Sequence, residues 1–293
     1  MDYRSLVREA WATTWRYRFL WILGLLAGAT GGSLSVGRYS MPAPERAELP
    51  SEATALAAQA QAWMLANLGL VVGLAIGAAV IGLALAVVSV IARGGITQAT
   101  VDALSGQPTS LGRAWRAGRR WFWRFLGLLV LLAVIVSVVV GSVAAVAVNL
   151  GGLGVLFGAL ALTAGAVASI VLAYAERAIV VRDLGPIAAL RHAWQVFTDH
   201  LSASLLTWLI SVLLSVAVGV AAAVAIGLLV AFFGGIGLAL WFASGLSAGL
   251  LLNAGVAVAV VIALLVTVAA IANTFFWSYW TVAYLRLDPP VTA

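Results

Sequence analysis

Apolar residues run along this chain in long unbroken stretches, and charged residues are confined to the short segments between them. Four stretches hold no Asp, Glu, Lys or Arg: 19–37, 53–92, 125–175 and 201–285, of 19, 40, 51 and 85 residues. A helix crosses the apolar layer of a bilayer in about 20 residues, at ~1.5 Å of rise each. The first block supplies one span, with Phe19 to about Thr30 as its core. The second supplies one, roughly Leu65 to Ala92, after a polar lead-in containing Gln59, Gln61 and Trp63. The third supplies two, divided at Asn149, Gly151 and Gly152. The fourth supplies two, about 201–232 and 255–284, broken at Gly234-Gly235. Residues 236–252 are expected as a short helix between them, at the outer surface or partly inserted. Asn253-Ala254-Gly255 offers a second break, so a seven-span reading stays open.

The segments between blocks repeat. Ala10-Trp11, Ala114-Trp115 and Ala193-Trp194 each sit in an Arg-bearing stretch that leads into an odd-numbered span. Each odd span is followed by a glycine pair, Gly31-Gly32, Gly151-Gly152 or Gly234-Gly235. Gly106-Gln107-Pro108 and Gly185-Pro186 precede the second and third stretches, and proline suits a helix start because its missing N–H is not needed there. The unit is elbow helix, span, glycine turn, span. At about 100° per residue, Leu111, Trp115, Gly118, Phe122 and Phe125 share one face of the middle elbow. Arg113, Arg116, Arg120 and Arg124 share the other. In the third elbow Ile187, Leu190, Trp194 and Phe197 oppose Arg191, His192, Gln195 and Asp199. In the first, Leu6, Ala10, Thr14 and Tyr17 oppose Arg8, Glu9 and Arg16. Such helices lie in the membrane interface, rings among acyl chains and guanidinium groups among phosphates. The expected fold is an all-α integral membrane protein with six transmembrane helices and three amphipathic interfacial elbow helices. It forms a single domain over 1–293, with pseudo-repeats at about 1–105, 106–185 and 186–293.

Composition agrees: 64% of the 293 residues are hydrophobic and 9% charged, against about 25% charged in a soluble domain. All 16 basic residues are arginines. With the abundant Ala and Gly, this points to a GC-rich, bacterial source. There is no cysteine, which excludes disulfides, thiolate nucleophiles and cysteine metal sites. A basic balance would suggest nucleic-acid binding in a soluble chain; here the arginines flank apolar spans, and no nucleic-acid partner is expected. With six spans and the N-terminus inside, 14 arginines are cytoplasmic and only Arg38 and Arg46 lie outside. That asymmetry places both termini in the cytoplasm and the protein in the bacterial cytoplasmic membrane. Ala27-Gly28-Ala29 resembles a signal cleavage box, but the 18 Trp- and Arg-bearing residues before the apolar run argue against cleavage.

Candidate chemistry is sparse. Arg113, Arg116, Arg120 and Arg124 are the candidate anionic-lipid contact, each worth about 1 kcal/mol near an anionic leaflet. The plainer reading is topology setting. Asn273 is the candidate intramembrane polar site, with an interhelical hydrogen bond as its commoner use. Glu176-Arg177 reads as a boundary ion pair. Asn149 and Asn253 are further amides. His192 and His200, roughly 12 Å apart along one helix, are too distant to share a metal. No HExxH, paired carboxylates, Ser/His/Asp set or phosphate loop appears, so no catalytic activity, metal or cofactor is expected. Gly24/Gly28, Gly73/Gly77, Gly154/Gly158 and Gly245/Gly249 allow close helix packing, within the chain or against an oligomer or partner. Trp11, Trp15, Trp115, Trp121, Trp123, Trp194, Trp277 and Trp280 read as an anchoring belt in one leaflet.

Asp183-Leu184-Gly185-Pro186-Ile187-Ala188-Ala189-Leu190-Arg191-His192-Ala193-Trp194 resembles the loop between spans four and five of a broad group of uncharacterised bacterial six-span proteins. These are similar to the membrane domain that precedes some glycerophosphodiester phosphodiesterases. Thr281-Val282-Ala283-Tyr284-Leu285-Arg286 and the opening helix with Trp11 and Trp15 fit the same group. The likeness implies an integral membrane protein; without the phosphodiesterase barrel, no catalytic residue carries over. The expected function is that of a non-catalytic accessory or scaffold subunit. Its partners are anionic membrane lipids and a membrane-protein partner or second copy. The alternative is a transporter or lipid-handling protein.

Overall fold

A computed structural model describes residues 1–28, 51–150 and 154–289, and every described element is an α-helix. These are α1 (Tyr3–Arg16), α2 (Leu20–Gly28), α3 (Ser51–Ala66), α4 (Leu68–Leu104), α5 (Leu111–Leu150), α6 (Gly154–Val181), α7 (Pro186–Asp199), α8 (Leu201–Ser244) and α9 (Ala248–Leu287). Among the described residues four helices are long and apolar enough to cross a membrane: Leu68–Leu104, Thr163–Val181, Leu201–Ser244 and Ala248–Leu287. This is the architecture of a multi-pass membrane protein.

The core lies where the charges are. Buried residues come from α1 and α2, from Ser89–Asp102 of α4, Ala114–Leu128 of α5 and Ile170–Val180 of α6. The rest come from α7, Ser204–Ser211 of α8 and Ala270–Tyr284 of α9. The other ends of α4, α8 and α9 are bare: Leu74, Leu83, Leu228, Phe242, Leu252 and Val258 are all more than half exposed. Apolar surface gains nothing by leaving lipid for protein. Helices meet instead where small residues admit a neighbour and where polar groups bond across. Gly118 of α5 lies against α4 so closely that a Cβ there would sit 2.0 Å from the Ile91 carbonyl oxygen. Gly24 and Gly28 of α2 meet Thr274 and Asn273 of α9 in the same way. The Gly24/Gly28 spacing thus serves packing within the chain, whereas Gly73 and Gly77 have no neighbour within 4 Å.

Hydrogen bonds fasten the same end. Ser89 Oγ donates to the Ala27 carbonyl at 3.0 Å. Tyr174 donates to Ser204 at 3.1 Å, and Tyr279 to the Thr207 carbonyl at 2.9 Å. Two ionic knots close the surface. Asp288 accepts from Arg182 and, at 2.7 Å each, contacts His192 and Tyr284. Arg286 pairs with Glu9 at 2.9 Å and donates to Ser5 Oγ at 2.8 Å.

Several expected boundaries move. The break at Gly234-Gly235 does not occur; α8 runs through it to Ser244. Each glycine costs a helix about 1 kcal/mol, less than the several kcal/mol of exposing unpaired backbone groups to lipid. The chain turns instead at Gly245, whose φ of +62° suits glycine. Its N–H bonds the Trp241 carbonyl at 2.8 Å, and Ser247 caps α9 through the Leu250 N–H. The short helix at 236–252 is therefore absent, its residues divided between α8 and α9. The second break at Asn253 is absent too; Asn253 Nδ2 donates to the Phe233 carbonyl at 3.0 Å and ties the two helices. The second span reaches Leu104 rather than Ala92, and its polar lead-in is itself a helix, α3. The division expected in 125–175 at Asn149, Gly151 and Gly152 falls at residues 151–153, which lie outside those described. The first span shows only as the nine residues of α2, because 29–50, with Gly31-Gly32, lie outside the described residues.

The middle elbow is not a separate helix but the first third of α5, with no breaker between Arg124 and Phe125. It starts at Leu111, not beside Pro108: the Ser110 carbonyl accepts from the Ala114 N–H. α1 and α7 are separate helices, and Pro186 does open α7 after Gly185.

Candidate functional site

Three of the four stripe arginines share a pocket. Arg113, Arg116 and Arg120 line a space of about 450 Å³ with Gln98, Asp102, Gln107, Ala117 and Trp121. Helix packing makes this space. Gly94 and Gly95 of α4 abut Ala114 and Gly118 of α5, so the end of α4 is held beside the arginine face. Gly106, at φ +70°, turns the chain between them. Asp102 is buried and accepts from Gln98 Nε2 at 2.8 Å. Three guanidinium groups thus face one carboxylate. Among the described residues, none of Arg113, Arg116 and Arg120 forms an ion pair. Arg113 donates to the Pro108 carbonyl, and the Arg120 guanidinium carbon lies 4.8 Å from the centre of the Trp121 ring. Guanidinium groups set this way offer forked donors to a phosphate or carboxylate.

Arg124 does not join them. It bonds the Asp183 carboxylate at 2.6 Å and the Asp183 carbonyl at 2.8 Å, pinning the turn before α7. The buried face of the stretch is also displaced from expectation. Ala114, Gly118, Trp121, Phe125 and Leu128 pack inward, while Leu111 is exposed and Trp115 and Phe122 are half-buried. α7 shows the same displacement, with Ala189, Ala193, Val196 and Phe197 buried and Ile187 and Trp194 exposed. Gly118, Phe125 and Phe197 of the expected faces are buried, and the contacts add Ala114, Trp121, Ala189 and Ala193 in place of Leu111, Ile187 and Trp194. α1 buries Leu6, Ala10 and Thr14 as expected, with Tyr17 half-buried. In all three Ala-Trp steps the alanine is buried.

A second polar centre lies inside the bundle. Glu176 of α6 is 3.3 Å from Arg93 of α4 and 2.9 Å from Arg177. The Arg177 guanidinium lies 4.3 Å from the centre of the Trp277 ring of α9 and donates to the Trp277 carbonyl at 3.4 Å. All four residues are buried. The boundary pair is thus a buried three-charge junction of α4, α6 and α9. In the sequence Arg93 is one of the 14 arginines on the cytoplasmic side of the expected topology. Its signal was its place, alone at the end of a 40-residue charge-free block.

Asn273 is buried one turn before Trp277, with its amide against Gly28. It stands in a helix contact, and neither the pocket above nor the groove described below includes it. His192 and His200 have different partners, Asp288 for one and the Val196 carbonyl for the other. Among the described residues no His, Asp and Glu group could hold a metal. Trp121, Trp277 and Trp280 are core residues rather than belt residues, whereas Trp11, Trp15, Trp123 and Trp194 are exposed. The side chain of Asn149 lies outside those described.

The model of a family of unknown function, DUF7544, matches residues 9–289. The chain belongs to this family. The match takes in α2 to α9, the latter part of α1 and both polar centres. No curated protein matches the chain, and no solved structure does.

Proposed function

We propose that this DUF7544 protein is a non-catalytic accessory or scaffold subunit of the bacterial cytoplasmic membrane, with six spans and both termini cytoplasmic. The observation that carries this reading is the division of α4, α8 and α9 into a bare part and a packed part. In α4, residues 68–88 precede the first buried residue, Ser89, a rise of about 31 Å and one apolar bilayer thickness. In α9, residues 248–269 precede Ala270, about 33 Å. The bare halves suit lipid or a partner's helices. The packed halves hold the arginines that the positive-inside pattern assigns to the cytoplasm. The buried alanines of the three Ala-Trp steps support the threefold repeat. The resemblance to the membrane domain preceding some glycerophosphodiester phosphodiesterases belongs to this proposal and brings no catalytic group with it. A mild-detergent pull-down followed by native mass spectrometry tests the reading. A reproducible membrane-protein partner or a second copy is expected; a lone monomer overturns it.

The second reading, a transporter or lipid-handling protein, draws on the Arg113, Arg116 and Arg120 pocket, whose unpaired cations suit an anionic headgroup. A triple alanine variant at these positions that keeps the same copurifying lipids as wild type would count against it.

A further inference from the structure

A groove of about 790 Å³ runs between α5, α6 and α7, separate from the arginine pocket. Its floor is the face of α6 that carries Ala164 and Ala168, with Leu132 of α5 and Leu190 and Trp194 of α7 among its other walls. Two alanines four residues apart leave a trough that longer side chains would fill. Lining residues of α6 run from Thr163 to Leu172, about 14 Å along the helix. The lining is apolar except at Thr163 and Arg191. Arg191 is exposed and forms no ion pair among the described residues. The nearest carboxylate in sequence before it, Asp183, is engaged by Arg124.

An apolar trough with a single cation among its lining residues is complementary to a molecule with an apolar tail and an anionic head. We infer that this groove holds an acyl chain of an anionic phospholipid, with its phosphate on Arg191 and its glycerol region beside Trp194. The rings and aliphatic walls take the chain by dispersion and exclusion of water. The guanidinium group takes the phosphate through charge-assisted hydrogen bonds. The inference rests on the membrane reading but not on the scaffold role, and it gives the α7 face a purpose. Ile187 and Trp194 stay uncovered by protein because they cover lipid.

The test uses the full chain reconstituted in vesicles of equal phosphatidylglycerol and phosphatidylcholine, extracted in mild detergent, with retained lipid read by native mass spectrometry. Wild type is expected to retain phospholipid enriched about fivefold in phosphatidylglycerol, the factor that one arginine supplies near a phosphate. Ala168→Trp, which fills the trough, is expected to lose the retained lipid of either kind; Ala164→Phe is the second filler should the first not fold. Arg191→Gln is expected to retain lipid at close to equal proportions. Retention unaltered in a folded filler variant, or phosphatidylglycerol enrichment unaltered in Arg191→Gln, overturns the inference. Release of the chain from membranes by alkaline extraction would overturn the membrane reading itself, which separates the two failures.

Discussion

Glu176 holds two buried arginines at once. Arg93 and Arg177 are both buried, and the carboxylate between them is their shared counter-charge. Removing one partner of a buried ion pair leaves a charge uncompensated, at a cost of about 3–5 kcal/mol. Glu176→Gln is therefore expected to lower the thermal unfolding midpoint in detergent sharply. A double variant, Glu176→Gln with Arg93→Met, is expected to recover part of the loss, since it removes one of the stranded cations. Glycines separate at the same scale. Gly118→Val would drive its side chain into the Ile91 carbonyl, an overpacking worth about 1–3 kcal/mol. Gly73→Ala, with nothing within 4 Å, is expected to leave the midpoint unchanged or slightly raised. Equal effects of the two, read by thermal unfolding, would deny the packing role of Gly118. Both glycines lie in helices of this apolar chain, and sequence alone does not say which one meets a neighbour.

Among the elements, α9 organises the rest. Its last third meets α1, α2, α4, α6 and α8, and its C-cap, Asp288, is tied to Arg182 after α6 and His192 on α7. Burial works to raise the Asp288 pKa, but hydrogen bonds from His192, Tyr284 and Arg182, with the Arg182 charge, outweigh it and hold the carboxyl below its usual 3.8. A carboxyl with a depressed folded pKa stabilises the fold above the unfolded value and loses that contribution as pH falls through the folded one. Wild type and Asp288→Asn are therefore expected to differ in unfolding midpoint at pH 6, the difference shrinking as pH falls below the usual 3.8 and vanishing below the lower folded pKa. A difference that persists undiminished well below that pH would show that the knot does not act through charge. The α8–α9 connection teaches the same lesson about elements. Gly234-Gly235 looks like the stronger turn signal, yet Gly245 with Ser244 and Ser247 makes the turn. Only there do hydroxyls replace the backbone partners that a helix end loses.

At the scale of the whole molecule, the packed end and the bare end divide the work. The proposed topology puts the packed end in the cytoplasm. A reporter fused after Ala293 is expected to be active only in its cytoplasmic form; a periplasmic signal would sink the six-span arrangement and favour seven. The bare helix halves are expected to be covered by lipid or by a partner. Cysteines placed at Gly73 and Leu83 in this cysteine-free chain should crosslink in native membranes if a partner or second copy lies against α4. Absence of any crosslinked species there, together with a monomeric mass, would remove the scaffold reading. The groove of α5, α6 and α7 belongs to this scale too, since it exists only where three helices meet.

The charge-free blocks by themselves determined that this is a helical multi-pass membrane protein. Apolar length and scarcity of charge are local properties, and no fold of such a chain could leave those blocks in water. The amphipathic character of α1 and the Pro186 start of α7 were legible for the same reason. What only the tertiary structure decided is which face of each helix meets protein. In water, the bulkiest apolar face would turn inward. In lipid that drive is weak and closeness of approach counts, so Ala114, Ala189 and Ala193 join Gly118, Trp121, Phe125 and Phe197 at the contacts while Ile187 and Trp194 stay exposed. The same cause hid the two polar centres. Arg93 lies 83 positions from Glu176, and Gln98 and Asp102 lie outside the arginine stripe they complete. Sequence periodicity reports neighbours on one helix, and these neighbours come from helix crossings.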